Sequence, residues 1–207
     1  MDGIPLLFAN TALFVVLGVV LTALLIPVLW VIAVYNGLRR SQVRAKNAFS
    51  QIDVQLKRRF DLIPNLVETV KGYMAHERAT LEAVIAARSQ AAGALGAAQG
   101  AMLGVSAVTQ LANASTALDG ALGRLVGLVE RYPELKANQN ALQLQEELAS
   151  TENRIAFARQ AYNDAVMRLN EQIVVFPASM VARTFGVTEM GLFEADAAAR
   201  AAVAVKF

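Results

Sequence analysis

The sequence predicts an all-α membrane protein: an N-terminal transmembrane helix followed by an antiparallel cytoplasmic helical bundle of long helices. Three observations support this fold class. An uncharged apolar run lies near the start of the 207-residue chain. Downstream, apolar residues recur at spacings of three, four and seven, which is helical periodicity. The alternation of apolar and polar residues that marks a half-buried strand is not found.

The apolar run covers residues 12–34 and contains no ionisable side chain. At about 1.5 Å per residue, a helix of this length spans roughly 35 Å, and a bilayer core is about 30 Å thick. A helix from a soluble core would show a polar face, and this stretch has none. Pro27 is compatible with the prediction because transmembrane helices tolerate proline as a kink. We therefore predict a membrane span at residues 12–35.

The flanks of the span predict its orientation. Trp30 and Tyr35 lie near its C-terminal end, where aromatic residues anchor helices at the interface. Asp2 is the only charged side chain before the span. Lys and Arg follow it, which predicts an N-terminus outside and a cytoplasmic C-terminal domain. A cleaved signal peptide would have a basic start and a shorter apolar stretch of about 7–15 residues, so we predict a retained anchor.

A basic cluster follows the span, and it comprises Arg39, Arg40, Arg44 and Lys46. Basic residues beside a membrane attract anionic lipid by about 1 kcal/mol each. A solvated helix face explains the same residues equally well. Nucleic-acid binding is disfavoured because no aromatic or base-reading side chains are interleaved with the charges. We expect anionic membrane lipid as a partner and no nucleic acid.

The rest of the chain is predicted to form one domain. Residues 1–11 are expected to form a short outside tail, 36–177 the bundle, and 178–207 a tail docked on the bundle or on a neighbour. Phe49, Ile52, Leu56, Phe60 and Ile63 form one apolar stripe. Pro64 then either kinks the helix or breaks it, with Asp61 as the cap of a new helix, and we favour a break.

Three further helices are expected after Pro64. The second covers about 65–92 with a stripe of Leu66, Val70, Tyr73, Leu81, Val84 and Ile85. The Ala/Gly-rich segment 91–104 carries Gly93, Gly96, Gly100 and Gly104 and is interpreted as a flexible turn, because glycine costs up to about 1 kcal/mol per helix position. The third helix covers about 105–132, with Val108, Leu111, Leu118, Leu122, Leu125 and Val129 as its stripe.

The fourth helix has the clearest pattern. A heptad track contains Leu148, Ile155, Tyr162, Leu169 and Phe176, and a second track contains Leu144, Thr151, Ala158 and Ala165. This pattern is typical of a coiled-coil-like antiparallel bundle. Pro177 is expected to end the helix.

Few residues could support catalysis. His76 is the only histidine, and the chain has no cysteine. The pair His76-Glu77 lacks the second histidine of a zinc motif, and no nucleophile elbow surrounds Ser89 or Ser106. Glu146 and Glu147 are neighbours on a helix and point in different directions. We predict no catalytic residue, cofactor or metal site; an enzyme that uses carboxylates alone is the remaining catalytic alternative.

Several motifs resemble the LemA family of bacterial membrane proteins. IDVQLKRRFDLIPNLVETVKGYMAHE at 52–77 resembles its signature, and four blocks follow the family order: YNGLRR from Tyr35, RYPELKAN at 131–138, TENRIAFARQAYNDAV at 151–166 and FP at 176–177. Met74 and Leu169 depart from the expected alanine and aromatic residues. The resemblance implies a single span in the bacterial cytoplasmic (inner) membrane, an outside N-terminus and a cytoplasmic bundle. It supplies no catalytic residue.

The expected function is that of a membrane-anchored, non-catalytic scaffold or adaptor involved in membrane organisation or envelope stress. The alternative is a transmembrane sensor or signal transducer that acts through the bundle. We also expect self-association into a homo-oligomer and a protein partner whose identity the sequence leaves unknown. Gly18, the Ala/Gly-rich segments and the apolar side chains of Phe193 and Phe207 offer surfaces for close approach of subunits.

Overall fold

The structure, a computed structural model, describes residues 3–74 and 76–194, with side chains described at Phe14 and from Val16 onwards. Its six helices are α1 (Gly3–Lys71), α2 (Arg78–Gly100), α3 (Val105–Val129), α4 (Pro133–Lys136), α5 (Gln139–Val174) and α6 (Ala178–Thr184). These described ranges contain no β-strand, which confirms the all-α fold class.

The chain divides into two compact units. The first, the anchor unit, contains the N-terminal part of α1 up to Arg40 together with Gln172–Thr188. The second, the bundle unit, contains Ser41–Glu171 and the chain from Glu189 onwards. α1 contributes residues to both units.

Helix α1 continues through Pro64, so the predicted break at this position is wrong. Proline has no N–H, and the carbonyl four residues earlier therefore loses its partner in the helix. That carbonyl belongs to Phe60, and Arg88 of α2 donates a hydrogen bond to it from Nε at 3.1 Å. A side chain from the neighbouring helix thus satisfies the group that Pro64 leaves unpaired. The helix ends instead at Lys71, directly before Gly72.

The predicted flexible turn at 91–104 is also wrong in most of its length. α2 continues to Gly100, and Ala91, Leu95 and Ala98 are buried along one face of it. Burial of this face against α3, together with the high helix propensity of alanine, outweighs the cost of the glycines. Nothing lies within 4 Å of a Cβ placed on Gly93, Gly96 or Gly100, so these glycines mediate no close packing within the described chain.

The actual turn between α2 and α3 is residues 101–104. Met102 donates its N–H to the Gln99 carbonyl, and Leu103 donates to the Ala98 carbonyl at 2.9 Å. This pair of bonds is the Schellman arrangement, in which the first residue past the helix cap adopts a left-handed conformation. Met102 has φ 50° and Leu103 has φ 61°, where glycine would be favoured. The helix α6 ends with the same bond pattern but has Gly186 at the corresponding position, with φ 64°.

Contacts between α1 and α5 show that the two helices are antiparallel within the bundle unit. The rings of Phe49 and Tyr162 lie 5.5 Å apart, and Arg59 contacts Glu152. At the far end, Asn138, just before α5, donates a hydrogen bond to the Tyr73 hydroxyl at 3.4 Å. As the residue number rises along α1, its partner's number falls, which confirms the predicted antiparallel arrangement.

The predicted apolar stripes are mostly buried. All five stripe residues from Phe49 to Ile63, all six predicted for α3, and Leu148, Ile155, Tyr162 and Leu169 of the heptad track are in the core. Three predicted core residues are exposed: Tyr73, Ile85 and Phe176. Tyr73 follows the end of α1, and Phe176 lies beyond the end of α5, so neither continues the periodicity of its helix.

A C-terminal segment, residues 189–194, docks on the bundle as an extended chain. Asn163 accepts the N–H of Phe193 at 2.8 Å and donates to its carbonyl at 3.5 Å. Asn170 pairs with the N–H and the carbonyl of Met190 in the same way, at 3.0 and 2.9 Å. Two α5 amide side chains, seven residues apart, thus replace the partner strand that an extended segment normally needs.

Gly191, between these two clamped residues, fits only as glycine. A Cβ there would lie 2.8 Å from the Cα of Val105 and 2.9 Å from the Cβ of Val108, closer than van der Waals contact. Its carbonyl accepts a bond from the buried Tyr162 hydroxyl at 2.7 Å, and its N–H donates to the Leu103 carbonyl at 2.9 Å. Burial raises the pKa of Tyr162 well above its ordinary value, so this hydroxyl stays protonated as a donor. Residues 189–194 of the predicted tail thus contact the bundle, while 195–207 lie outside the described residues.

Candidate functional site: the membrane anchor and the interior ionic cluster

The N-terminal half of α1 exposes a continuous apolar surface. Its most apolar window has a mean hydropathy of 2.7, and none of that window is buried within the chain. Exposed fractions reach 64% at Leu24 and 67% at Ile26. Among the described residues, α1 is the one helix long and apolar enough to cross a bilayer. An apolar helix surface this extensive is normally covered by lipid or by protein.

The predicted interface anchors lie on α1 near the end of this surface. Trp30 is exposed and Tyr35 is half-buried. The Tyr35 hydroxyl accepts a hydrogen bond from Arg39 Nε at 3.0 Å, and the Arg39 guanidinium carbon lies 5.3 Å from the centre of the Tyr35 ring. An aromatic ring and a guanidinium held together one helical turn apart suit the boundary between an apolar and a polar medium.

The four basic residues of the predicted lipid contact all lie on α1 and are all exposed. Arg39 and Arg40 belong to the anchor unit, and Arg44 and Lys46 to the bundle unit. Ser41 and Ala45, which lie between Arg40 and Lys46 in the sequence, are buried. The basic side chains therefore occupy the faces of α1 that the protein leaves open.

An ionic cluster inside the bundle was not predicted. Arg59 of α1 is 4% exposed, and its Nη1 lies 2.6 Å from Asp119 of α3 and 2.9 Å from Glu152 of α5. Arg159 of α5 approaches Asp119 at 4.0 Å, and its guanidinium lies 4.7 Å from the ring centre of Phe193 in the docked segment. Two cations and two anions thus join three helices and the C-terminal segment.

Burial has the largest effect on the pKa of the Arg159 guanidinium and lowers it, whereas the nearby carboxylates of Asp119 and Glu152 raise it. A buried charge without a partner would cost several kcal/mol, so the cluster's neutrality is a condition for its stability. Arg59 Nε, Arg159 Nε and the fully buried Ser115 Oγ have no protein hydrogen-bond partner. Asp119 and Glu152 are partly exposed, at 30% and 42%, so the cluster joins the buried Arg59 to the surface, and loss of either acid would leave Arg59 with one fewer partner.

The sequence contained a signal for this cluster. Arg59 lies between Leu56 and Ile63, at the three- and four-residue spacings of the buried stripe. Such a position requires a partner charge, because arginine is almost never buried unpaired. The other three residues gave a weaker signal: Asp119 follows the buried Leu118, Glu152 follows the buried Thr151, and Arg159 lies between the buried Ile155 and Tyr162 at helical spacing. Their mutual distances depend on the packing of three helices, which periodicity does not specify.

One surface groove of the bundle unit is lined by Arg59, Asp119 and Glu152 of the ionic cluster, whose charges pair with one another. A groove of about 900 Å³ lies where α1 ends and α2 begins. Its charged side chains pair with each other, Lys71 with Glu68 at 3.6 Å and Arg78 with Glu82 at 2.6 Å. His76 is exposed in the adjoining turn. Within the part of the chain that the structure describes, no three or more His, Asp or Glu side chains are grouped as metal ligands.

Comparison with known proteins places this arrangement in a family. The profile of the LemA family matches residues 48–207, which contain nearly all of the bundle unit. The chain belongs to the LemA family. The resemblance inferred from the signature at 52–77 is thereby confirmed, and the ionic cluster and the asparagine clamps lie within the LemA region.

Individual relatives extend the comparison. The chain is 26% identical over 161 residues to Protein LemA of Metamycoplasma hominis, which covers 78% of this chain and 69% of the relative. It is 27% identical over 160 residues to Magnetosome protein MamQ 1 and MamQ 2 of Paramagnetospirillum magneticum, covering 70% of this chain. The match spans 59% of these two relatives. LemA family membership and the apolar part of α1 fit a membrane-anchored, single-pass protein.

Proposed function

We propose that this LemA family protein is a non-catalytic scaffold anchored in the bacterial cytoplasmic membrane by one helix. The observation that supports the proposal is the apolar surface of α1, since no residue of its most apolar window is buried within the described chain. The bundle supports a structural role, because the charged side chains of its ionic cluster, Arg59, Asp119 and Glu152, pair with one another across three helices. In this role the bundle presents a rigid surface to a protein partner at the membrane.

The anchor is oriented with the N-terminus outside and the bundle in the cytoplasm. Arg39, Arg40, Arg44 and Lys46 then meet the inner leaflet, where anionic lipid contributes about 1 kcal/mol for each basic residue at the surface. The exposure of all four side chains supports this assignment. We propose anionic lipid as the direct ligand of the anchor, with no nucleic acid among the partners.

Trp30, the only tryptophan, provides an internal probe of the lipid around the anchor. The full chain is reconstituted in vesicles that contain a trace of dansyl-labelled phosphatidylglycerol or dansyl-labelled phosphatidylcholine. Energy transfer from Trp30 should be greater to the labelled phosphatidylglycerol, because the basic residues enrich anionic lipid beside the helix. Replacing the four basic residues with glutamine should abolish the difference.

The matched control removes four positive charges from the bundle unit, away from the span. Arg124, Arg131, Lys136 and Arg154 are all exposed and are replaced with glutamine as a set. This variant should keep the preference for phosphatidylglycerol. Equal transfer to the two lipids in the unmodified protein would contradict the lipid assignment, while absence of transfer to either lipid would contradict membrane anchoring itself.

Self-association is the second part of the proposal. Nothing lies within 4 Å of a Cβ placed on Gly18, so the backbone of the span is open to close approach by another helix. Phe193 cannot make the predicted contact between subunits, because it is buried within its own chain. Phe207, the other predicted aromatic contact, lies outside the described residues. Light scattering of the detergent-solubilised protein, corrected for detergent, should give a multiple of 22.2 kDa. A particle of one chain would remove this part of the proposal.

A further inference from the structure

Residues 172–188, here called the interfacial segment, expose an unusual concentration of apolar side chains. The segment contains the end of α5, the turn at Phe176-Pro177, and α6. Its large exposed residues are Val174 (62%), Val175 (52%), Phe176 (75%), Met180 (62%) and Phe185 (46%). Arg183 is the only charged residue in the segment. Elsewhere in the bundle an exposed residue such as Phe157 lies among charged neighbours, Arg154 and Arg159.

The interfacial segment belongs to the anchor unit and packs on α1 at the end of the apolar run. The rings of Phe185 and Tyr35 lie 4.8 Å apart. Along α1, Leu38 is buried, and Tyr35, Val34 and Val31 are half-buried, in contrast to the exposed residues before them. These four residues share one face of the helix by their spacing. The interfacial segment belongs to the same compact unit as this face and contacts it through Phe185 at Tyr35.

The contact at Tyr35 places the segment at the end of the apolar run, and partial burial of the α1 face continues back to Val31. Val31 lies one helical turn before Tyr35, or about 6 Å further into the apolar run at about 1.5 Å per residue. Tyr35, beside Arg39, marks the boundary between the apolar run and the basic residues. A segment that contacts Tyr35 thus lies at this boundary, where interfacial helices bury their apolar faces about 5–10 Å into the region of headgroups and acyl chains.

We propose that the interfacial segment is a second membrane-contacting element, which inserts Val174, Val175, Phe176 and Met180 into lipid beside the span. The inference rests on the proposed function in one respect, that α1 crosses the bilayer. Two features select lipid as the occupant. The segment shares a compact unit with the exposed apolar part of α1 and contacts its end at Tyr35. Residues 172–188 also contain no acidic side chain that anionic headgroups would repel. Arg183, exposed on α6, is placed to reach those headgroups.

The chain has no cysteine, so single-cysteine variants can be labelled specifically. The variants Met180→Cys and Val174→Cys probe the interfacial segment, Leu24→Cys probes the span, and Phe157→Cys is the control, since Phe157 is exposed to a similar degree on α5. Each full-length protein carries the environment-sensitive NBD fluorophore and is reconstituted in vesicles of phosphatidylcholine and phosphatidylglycerol. The vesicles contain lipids with a nitroxide quencher placed either high or deep on the acyl chain.

We expect the shallow nitroxide to quench at least half of the fluorescence of the labels at positions 174 and 180. The deep nitroxide should quench them less. The label at position 24 should be quenched more by the deep nitroxide, and that at position 157 by neither. If the labels at 174 and 180 are not quenched, like the label at 157, while the label at 24 is quenched, the proposed lipid contact of the interfacial segment is wrong. That result would leave the proposal of a membrane anchor intact. An unquenched label at 24 would instead overturn the proposed function.

A second copy of the chain is the competing occupant of this surface. In that case the Met180→Cys protein would form dimers in high yield with a short bifunctional thiol reagent, and its NBD label would be shielded from both quenchers. That pair of results would overturn the lipid assignment. Efficient quenching with little crosslinking would support it.

Discussion

At the scale of single residues, the pair of Pro64 and Arg88 shows how one side chain decides whether a helix continues. Pro64 withholds an N–H from the Phe60 carbonyl, and Arg88 supplies a donor from another helix. Arg88 and Phe60 are 28 positions apart in the sequence, so the local rule that proline interrupts a helix does not include this hydrogen bond.

A double-mutant cycle tests this compensation. Arg88→Leu should lower the free energy of unfolding by about 2 kcal/mol, because a part-buried carbonyl loses a charged donor. In a Pro64→Ala background the residue 64 N–H satisfies the carbonyl, so the same substitution should cost about 1 kcal/mol less. Urea unfolding of the detergent-solubilised protein, followed by circular dichroism, provides the four values.

Arg78→Leu is the matched control, since Arg78 is an exposed arginine on the same helix and pairs only with Glu82 four residues away. Its effect should be small and equal in the two backgrounds. Additive effects of Arg88→Leu and Pro64→Ala would show that the hydrogen bond is not what carries the helix through Pro64.

At the scale of helices and turns, periodicity predicted what a helix buries better than where it ends. The stripes of α1 and α3 and most of the heptad track of α5 are in the core as predicted. The end of α2 was missed, because the cost of Gly93, Gly96 and Gly100 is local, whereas the compensating burial of Ala91, Leu95 and Ala98 comes from packing on α3. Helix propensity accounts for the cost of the glycines but not for the stabilisation that packing on α3 provides.

The turn after α2 gives a prediction at this scale. Met102 is 74% exposed and has φ 50°, a conformation that costs a non-glycine residue about 1 kcal/mol. Met102→Gly should therefore raise the free energy of unfolding by about 1 kcal/mol without loss of packing. The urea midpoint of the full chain should increase while the slope of the transition stays constant.

The control is Gln99→Gly, an exposed position on the last turn of α2. Glycine within a helix should lower stability by up to about 1 kcal/mol, opposite in sign to the effect at Met102. A decrease for both variants would mean that the left-handed conformation of Met102 is not strained.

At the scale of the whole molecule, the sequence predicted the family, the all-α class and the apolar anchor. It did not predict the ionic cluster or the interfacial segment. Both depend on which residues tertiary packing brings together: Arg59 with Asp119 across 60 positions, and Phe185 with Tyr35. Charge counts and hydropathy windows describe neighbours in sequence, so features of this kind become visible only in the folded chain.

The orientation of the anchor can be tested in intact cells. Single cysteines replace Asp2, before the span, and Gln90, which is exposed on α2. An impermeant thiol reagent should label the cysteine at position 2 and leave position 90 unlabelled until the cells are permeabilised, because the basic residues follow the span. Labelling at position 90 alone, before permeabilisation, would reverse the orientation.

The docked segment at 189–194 also affects the order of events during biosynthesis. The ribosome completes the anchor helix before it makes the residues that Asn163, Asn170 and Tyr162 hold. At about 5–20 residues per second, this interval is on the order of ten seconds. After Tyr162 has been made, 29 further residues must follow before Gly191 exists, and until then the clamping side chains lack these partners and the space beside Val105 and Val108 is unfilled. Delivery of the nascent chain to the membrane can therefore precede completion of the bundle, and a chain released before Gly191 would be an anchored protein with an unfinished core.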